Sequence, residues 1–299
     1  MGICNTTRPL MPLTLLCAAL TLALPQAVQA RDKTYAQSLV ERQFARHPGL
    51  QLLEIHATPP KGAGPVVIAS TSSRLGTPSG PDDVLVMETG KTVSRTSARG
   101  DVHESRLMLQ DVSGDPVGSL RVAFAKKAGG DAAALDLQAV AIRNAMRRQI
   151  MNVPNLVDPY PYVANAVSCP YAQKLVDSTM TAHPELLVLV MHVAPPGVGD
   201  DYPIIASSIG RHGKRADGDD MQVINVGKPL SGAFGAQKTR YGIEVVMRDQ
   251  AGKLLGALSS GYAFRQGDDE QALLKAAAAL ELEMRAKIPS LAVLCGPEK

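Results

Sequence analysis

The stretch Gly210-Arg-His-Gly-Lys-Arg-Ala-Asp-Gly-Asp-Asp220 concentrates more chemistry than any other part of this chain. Arg211, His212, Lys214 and Arg215 can hold a carboxylate or a phosphate-like group, since charge-assisted hydrogen bonds are the strongest polar contacts a side chain offers. Asp217, Asp219 and Asp220 can fix an amine, orient those cations, or cap a helix. His56 and His192 sit late in apolar runs, where an imidazole either lines a pocket and titrates or is buried against backbone. Tyr202, Tyr241 and Tyr262 lie on or beside strand-like runs and offer aromatic walls with hydroxyl tips, or ordinary packing. No Gly-X-Ser-X-Gly, His-Glu-X-X-His or Walker loop occurs. The two histidines have no clustered companions, so neither a metal nor any other cofactor is expected.

What positions these groups is a unit written twice. His47-Pro-Gly-Leu-Gln-Leu-Leu-Glu-Ile-His-Ala-Thr-Pro-Pro60 returns as His183-Pro-Glu-Leu-Leu-Val-Leu-Val-Met-His-Val-Ala-Pro-Pro196, with 7 of 14 positions identical. The inner histidines are 136 residues apart, Asp82-Asp83 precede Asp219-Asp220 by 137, and Gly114 and Gly118 precede Gly252 and Gly256 by 138. So steady an offset means two copies of one domain rather than a short solenoid period. Copy one keeps Arg74 for Arg211, Gly76 for Gly213 and the Asp pair, but has Leu75 for His212, Thr77 for Lys214 and Gly80 for Asp217. Shared positions serve folding and lost ones a ligand. That logic selects Lys214, His212 and Asp217 and makes the second copy the more active one.

Within copy two, Ala172 to Thr181 has helical spacing, and His183-Pro184 stops it. Leu186 to Val193 reads as a strand covered on both faces, followed by a strand over 202–208. Asp217 or Asp219 starts a short helix through Val223. Strands follow near 229–235, 239–248 and 254–264, the last two joined by the Asp249-Gln-Ala-Gly252 hairpin. A long helix capped by Asp268 or Asp269 ends near Ile288-Pro289. Copy one repeats the order with strands near 51–58, 66–71, 92–97, 102–110 and 117–125 and a helix near 131–148. Met151 to Val167 is rich in Pro and Asn and reads as a linker.

This element order, the Asp-X-X-Gly hairpin before Leu255-Gly-Ala-Leu258, and the long first helix resemble the extracytoplasmic PAS-like sensor domains of the Cache or PDC type. The resemblance spans roughly 33–148 and 170–288. It implies an α+β fold of two tandem PAS-like domains, each a five-stranded antiparallel sheet. Each would have a long N-terminal helix, a short helix between strands two and three, and a C-terminal helix. It also implies a ligand held between the sheet and the segment joining strands two and three, where the 210–220 loop falls.

Residues 1–30 carry one charge, Arg8, an apolar core from Leu13 to Leu24 and the small-residue end Ala27-Val-Gln-Ala30, so an export signal is expected. Pro12 and Pro25 bound the apolar run, which is short for a membrane span; an uncleaved anchor is the alternative. The expected domains are therefore 1–30 signal, 31–150 domain one, 151–168 linker and 169–299 domain two. With 31 Lys and Arg against 28 Asp and Glu, the balance points neither to nucleic acid nor to an anionic membrane surface. Cys4 and Cys17 fall in the signal, leaving Cys169 and Cys295. In an oxidising compartment such a pair is expected to form one disulfide around domain two; two unpaired thiols are the alternative.

The sequence thus reads as an exported, periplasmic or secreted, sensor that binds a small polar or anionic ligand in domain two. Arg211, His212, Lys214, Asp217, Tyr241 and His192 are the expected ligand contacts, and a membrane-bound protein partner would receive the signal. No membrane insertion is expected after signal cleavage. Two other classes stay open: an enzyme with a pocket around His192, Lys214 and Asp217, and a structural or adaptor protein with no ligand.

Overall fold

In the computed structural model, which describes residues 1–2, 33–235 and 237–296, the first helix α1 (Tyr35–Arg46) begins where the Thr34 hydroxyl accepts from the Gln37 amide. It stops before His47-Pro48. Strands β1 (Leu50–Ala57) and β2 (Val66–Ser70), helix α2 (Pro81–Thr89), strands β3 (Val93–Thr96), β4 (Val102–Gln110) and β5 (Pro116–Ala125), and helix α3 (Ala132–Arg147) complete the first copy. A short helix, α4 (Val153–Val157), lies in the connecting segment. The second copy repeats the order: α5 (Pro170–Ala182), β6 (Leu186–Val193), β7 (Ile204–Ser207), α6 (Gly218–Val226), β8 (Leu230–Phe234), β9 (Arg240–Arg248), β10 (Leu254–Ala263), α7 (Glu270–Arg285) and α8 (Leu291–Leu294).

The two sheets have one topology, β2-β1-β5-β4-β3 and β7-β6-β10-β9-β8, with antiparallel neighbours throughout. This α+β arrangement fits two tandem PAS-like domains. Glycine is required where the fifth strand meets the first. A Cβ on Gly118 would lie 2.0 Å from the His56 carbonyl oxygen, and one on Gly256 would lie 1.9 Å from that of His192. Both glycines also take positive φ, 158° and 155°. The shared Gly-X-X-X-Gly spacing of hairpin and strand therefore reflects a turn followed by a close backbone crossing.

One face of each sheet carries the long helices and a core. In copy one Leu53, Ile55, Leu107, Leu109, Leu120 and Val122 pack under α1 and α3; in copy two Leu189, Met191, Ile243, Met247 and Leu258 pack under α5, α7 and α8. Residues 33–296 belong to one compact unit. The connecting segment is built into it, since Asn155 and Leu156 are fully buried and the Asn155 side-chain amide donates to the Ile209 carbonyl. At Asn155 and Leu156 the connecting segment is therefore packed into the fold.

The expected disulfide is not formed. Cys169, at the N-cap of α5, and Cys295, at the C-cap of α8, are free thiols. The short α8, which periodicity does not reveal at four residues, folds back so that Cys295 packs against the core containing Cys169. A hydrogen bond from thiol to thiol raises the Cys169 pKa and lowers that of Cys295. The expected export signal, with Cys4 and Cys17, lies outside the described residues beyond its first two. Among the described residues no helix is long and apolar enough to cross a membrane.

Candidate functional site

Strand alternation decides which groups meet. Tyr241, Ile243, Val245 and Met247 of β9 face the helix-covered core, so Gly242, Glu244 and Val246 turn to the other side. On β6, Leu189, Met191 and Val193 face the helices, leaving Val188, Val190 and His192 on that same opposite face. Between this face, the 211–217 loop, α6 and β8 lies a cavity of about 520 Å³. Val188, Val190, Ile204, Ile209 and Phe234 supply apolar wall; Asp217, Asp219, Asp220 and Glu244 supply carboxylates; Arg211, Lys214 and His192 complete the polar lining.

Four expected contacts therefore converge: Arg211, Lys214, Asp217 and His192. Both cations already have acidic partners, Arg211 Nε at 3.1 Å from Asp158 Oδ2 and Lys214 Nζ at 3.5 Å from Asp217 Oδ2. Asp217 caps α6 by accepting from the Asp219 amide, while Asp220 accepts from the Asp217 amide in return, a reciprocal capping box. Burial opposes ionisation of Asp217, but Lys214 and the helix-start amides outweigh it and keep its pKa below the usual value. His192 is buried, with Nδ1 3.1 Å from the Tyr202 carbonyl and Nε2 3.5 Å from Asp220 Oδ2. Desolvation lowers its pKa despite the Asp220 carboxylate, and burial raises that of Asp220 in turn. The pair favours a neutral imidazole beside a reluctant carboxylate.

The other two expected contacts face elsewhere. His212 turns outward, its Nε2 2.7 Å from the Val167 carbonyl, into a larger hollow of about 750 Å³ between the first helices of the two copies and the connecting segment. Tyr241 lies on the helix side by strand parity, its hydroxyl donating to Glu270 at 2.8 Å and its ring 5.0 Å from that of Phe264. The loop itself is pinned. The Gly213 amide donates to the Ile204 carbonyl and the Tyr162 amide to that of His212. Gly210 is pressed so closely on the Tyr35 ring that a Cβ there would lie 2.5 Å from it.

Glu244 and Ser259 were missed at the sequence level. They face one another across β9 and β10, and both line the cavity. Among the described residues, Glu244 Oε2 and Ser259 Oγ are buried atoms with no hydrogen-bond partner. Burial first, and then the carboxylates of Asp220, Asp217 and Asp219, push the Glu244 pKa up to about 7. Mid-strand polar residues in alternation read as a solvated face, which hid them. The signal was in the comparison of copies. The same register pair in copy one is Arg106 opposite Arg121.

In copy one that pair is held in ion pairs. Arg121 reaches Glu54 Oε2 at 3.1 Å and donates through Nε to Glu104 Oε2 at 2.8 Å. Arg106 meets Asp83 Oδ2 at 3.4 Å and also pairs with Glu104. Arg95 closes on Asp82 at 2.8 Å and Arg74 on Glu54 at 3.4 Å. In copy two the register places Gly242 for Glu104, Glu244 for Arg106, Ser259 for Arg121 and Val190 for Glu54, while Asp219 and Asp220 keep the places of Asp82 and Asp83.

No family model matches the chain, and no curated protein matches it. Solved structures of similar shape include PelD from Pseudomonas aeruginosa PAO1, at 13% identity and TM-score 0.29 over 91% of this chain and 83% of that one. An extracellular ligand binding receptor from Desulfohalobium retbaense gives 10% identity and TM-score 0.23, covering 76% of this chain and 33% of the receptor. The periplasmic domain of RsbU from Chlamydia trachomatis gives 6% identity and TM-score 0.24 over 81% and 78%. The cavity residues, not these likenesses, bear the functional reading.

Proposed function

We propose that this chain is an exported sensor that binds a small molecule in its second domain and passes the signal through a protein partner. One observation supports the reading above the rest: a single fold occurs twice, and where copy one packs Arg106 and Arg121 into ion pairs, copy two has a cavity of about 520 Å³. That volume falls in the range of small-molecule sites, which combine apolar walls with a few convergent polar groups. Arg211, Lys214, Asp217 and His192 remain contacts in this proposal; His212 and Tyr241 would act from outside the cavity, through the loop and β9. The test is a thermal-shift screen of the purified protein against amines, amino acids, organic acids and nucleobases, repeated on Ser259→Arg, which rebuilds the side chain of copy one. A compound that raises the Tm of the native protein and leaves Ser259→Arg unmoved is the expected result. A shift of equal size in both would place binding outside the cavity and defeat the reading.

A further inference from the structure

Three observations about the same cavity concern its charge. The lining carboxylates Asp217, Asp219, Asp220 and Glu244 outnumber the lining cations Arg211 and Lys214, and both of those cations are ion-paired. The Glu244 Oε2 and Ser259 Oγ atoms are buried and unpartnered, and they lie opposite each other in one register pair. A buried acceptor left without a donor is unfavourable by about 1–3 kcal/mol, more when charged. Finally, copy one keeps equivalent helix-start carboxylates, Asp82 and Asp83, and satisfies them with its own guanidinium groups, Arg95 and Arg106. Copy two keeps the acids and has Gly232 and Glu244 at those register positions.

We infer that the ligand of the second domain is a small organic cation, an amine or guanidinium compound, whose charged head is held by Glu244 and the Asp220 side of α6 and whose carbon body lies against Val190, Ile204 and Phe234. This rests on the proposed cavity reading. The ligand takes the place that a side-chain guanidinium holds in copy one. An ammonium or guanidinium brings the donors that Glu244 Oε2 and Ser259 Oγ lack, and its charge offsets the carboxylate excess. An anionic ligand would have to displace Asp217 from Lys214 and Asp158 from Arg211 while remaining beside Glu244.

The titration of Glu244 follows the same logic. The groups that face it are Asp217 at the N-cap of α6, Asp219 and Asp220 in its first turn, Lys214 of the preceding loop, and His192 of β6 behind Asp220. With its pKa near 7, Glu244 loses its charge as pH falls, so a cation binds the smaller ionised fraction. Affinity therefore drops by about tenfold per pH unit below about 7 and levels off above it.

Agmatine and putrescine serve as cationic probes, with butane-1,4-diol and succinate as neutral and anionic controls, titrated calorimetrically into the full purified protein from pH 5 to 8. The expected result is binding of the cations with that pH slope, and no heat from diol or succinate. Glu244→Gln, nearly isosteric, should weaken the cations about ten- to a hundredfold and flatten the slope. If that variant fails to fold, the slope of the native protein and the blocking effect of Ser259→Arg still decide the matter. Succinate or diol binding as well as the cations, lost in Ser259→Arg, would overturn the cation inference and leave the cavity reading standing. Absence of binding by all four probes overturns the inference. A failed broad screen overturns the cavity reading too.

Discussion

Glu54 and Glu244, the second half-buried with its Oε2 inaccessible, are two carboxylates with opposite fates. Glu54 is fully buried; burial alone would raise its pKa, but His56, Ser70, Arg121 and Arg74 outweigh it and hold the pKa at about 2. Its folded pKa lies below the unfolded value, so its contribution to stability is complete above about pH 4.5 and fades as pH falls toward 2. Glu244 has the opposite sign. Its pKa near 7 lies above the unfolded value, so its contribution is complete below about pH 4.5 and is lost as pH rises through 7. Denaturant melts at pH 5 and pH 8 should separate them. Glu54→Gln should destabilise copy one by about 3–5 kcal/mol at both pH values, as expected when one member of a buried charge pair is removed. Glu244→Gln should gain on the native protein between pH 5 and 8. A Glu54→Gln protein melting like the native one would refute the ion-pair account of copy one. At this scale the sequence was only partly legible. The loop charges announced themselves, whereas Glu244 and Ser259 become conspicuous only when the strands of both copies are laid in register.

The elements were more readable than the site. Strands, both long helices of each copy and the short helix at Asp217 follow from periodicity, caps and glycines, because each is long enough to leave a pattern or is marked by a capping side chain. What escaped were α4 and α8, at five and four residues too short for any period to show, and the rigidity of the 210–214 loop. Its glycines, Gly210 and Gly213, are close-contact positions against Tyr35, Val163 and Ala166. The same distinction applies along the last hairpin. At Gly252 (φ 81°) a Cβ meets nothing within 4 Å, so Gly252→Ala should cost only the left-handed backbone penalty of about 1–2 kcal/mol. At Gly256 the Cβ would meet the His192 carbonyl oxygen at 1.9 Å, and Gly256→Ala should cost more than about 4 kcal/mol. Chemical denaturation of the two variants measures this directly. Equal losses would mean that β6 and β10 can part without penalty.

At the scale of the molecule, Arg240 is one of the residues that join the copies. Arg240, at the start of β9 and nearly inaccessible, donates to Asp111 and Ser113 in the turn between β4 and β5, to Asp115 at 3.4 Å, and to the Met151 carbonyl at 3.0 Å. Its guanidinium also stands 6.0 Å from the Phe234 ring centre. Met151 and Phe234 line the cavity, and Val112 of the same turn packs with Val188, Val190 and Ile204. A group entering the cavity therefore touches residues that hold the first copy in place. Arg240→Ala leaves Asp111 buried without its charge partner, an effect of about 3–5 kcal/mol, and should split the unfolding transition in two as the copies lose their coupling. A single, unshifted transition would show that the joint does not depend on this residue.

The self-filled first copy has one more consequence. On the proposed reading, a duplicated fold with a guanidinium network in one half and a hollow in the other displays both ends of a binding reaction within one chain. On that reading, the contact of Arg106 with Asp83 in copy one shows how the equivalent Asp220 would meet a ligand nitrogen. On the same reading, an arginine at position 259 places a tethered guanidinium in the cavity, and that variant is the bait with which a downstream partner would be sought.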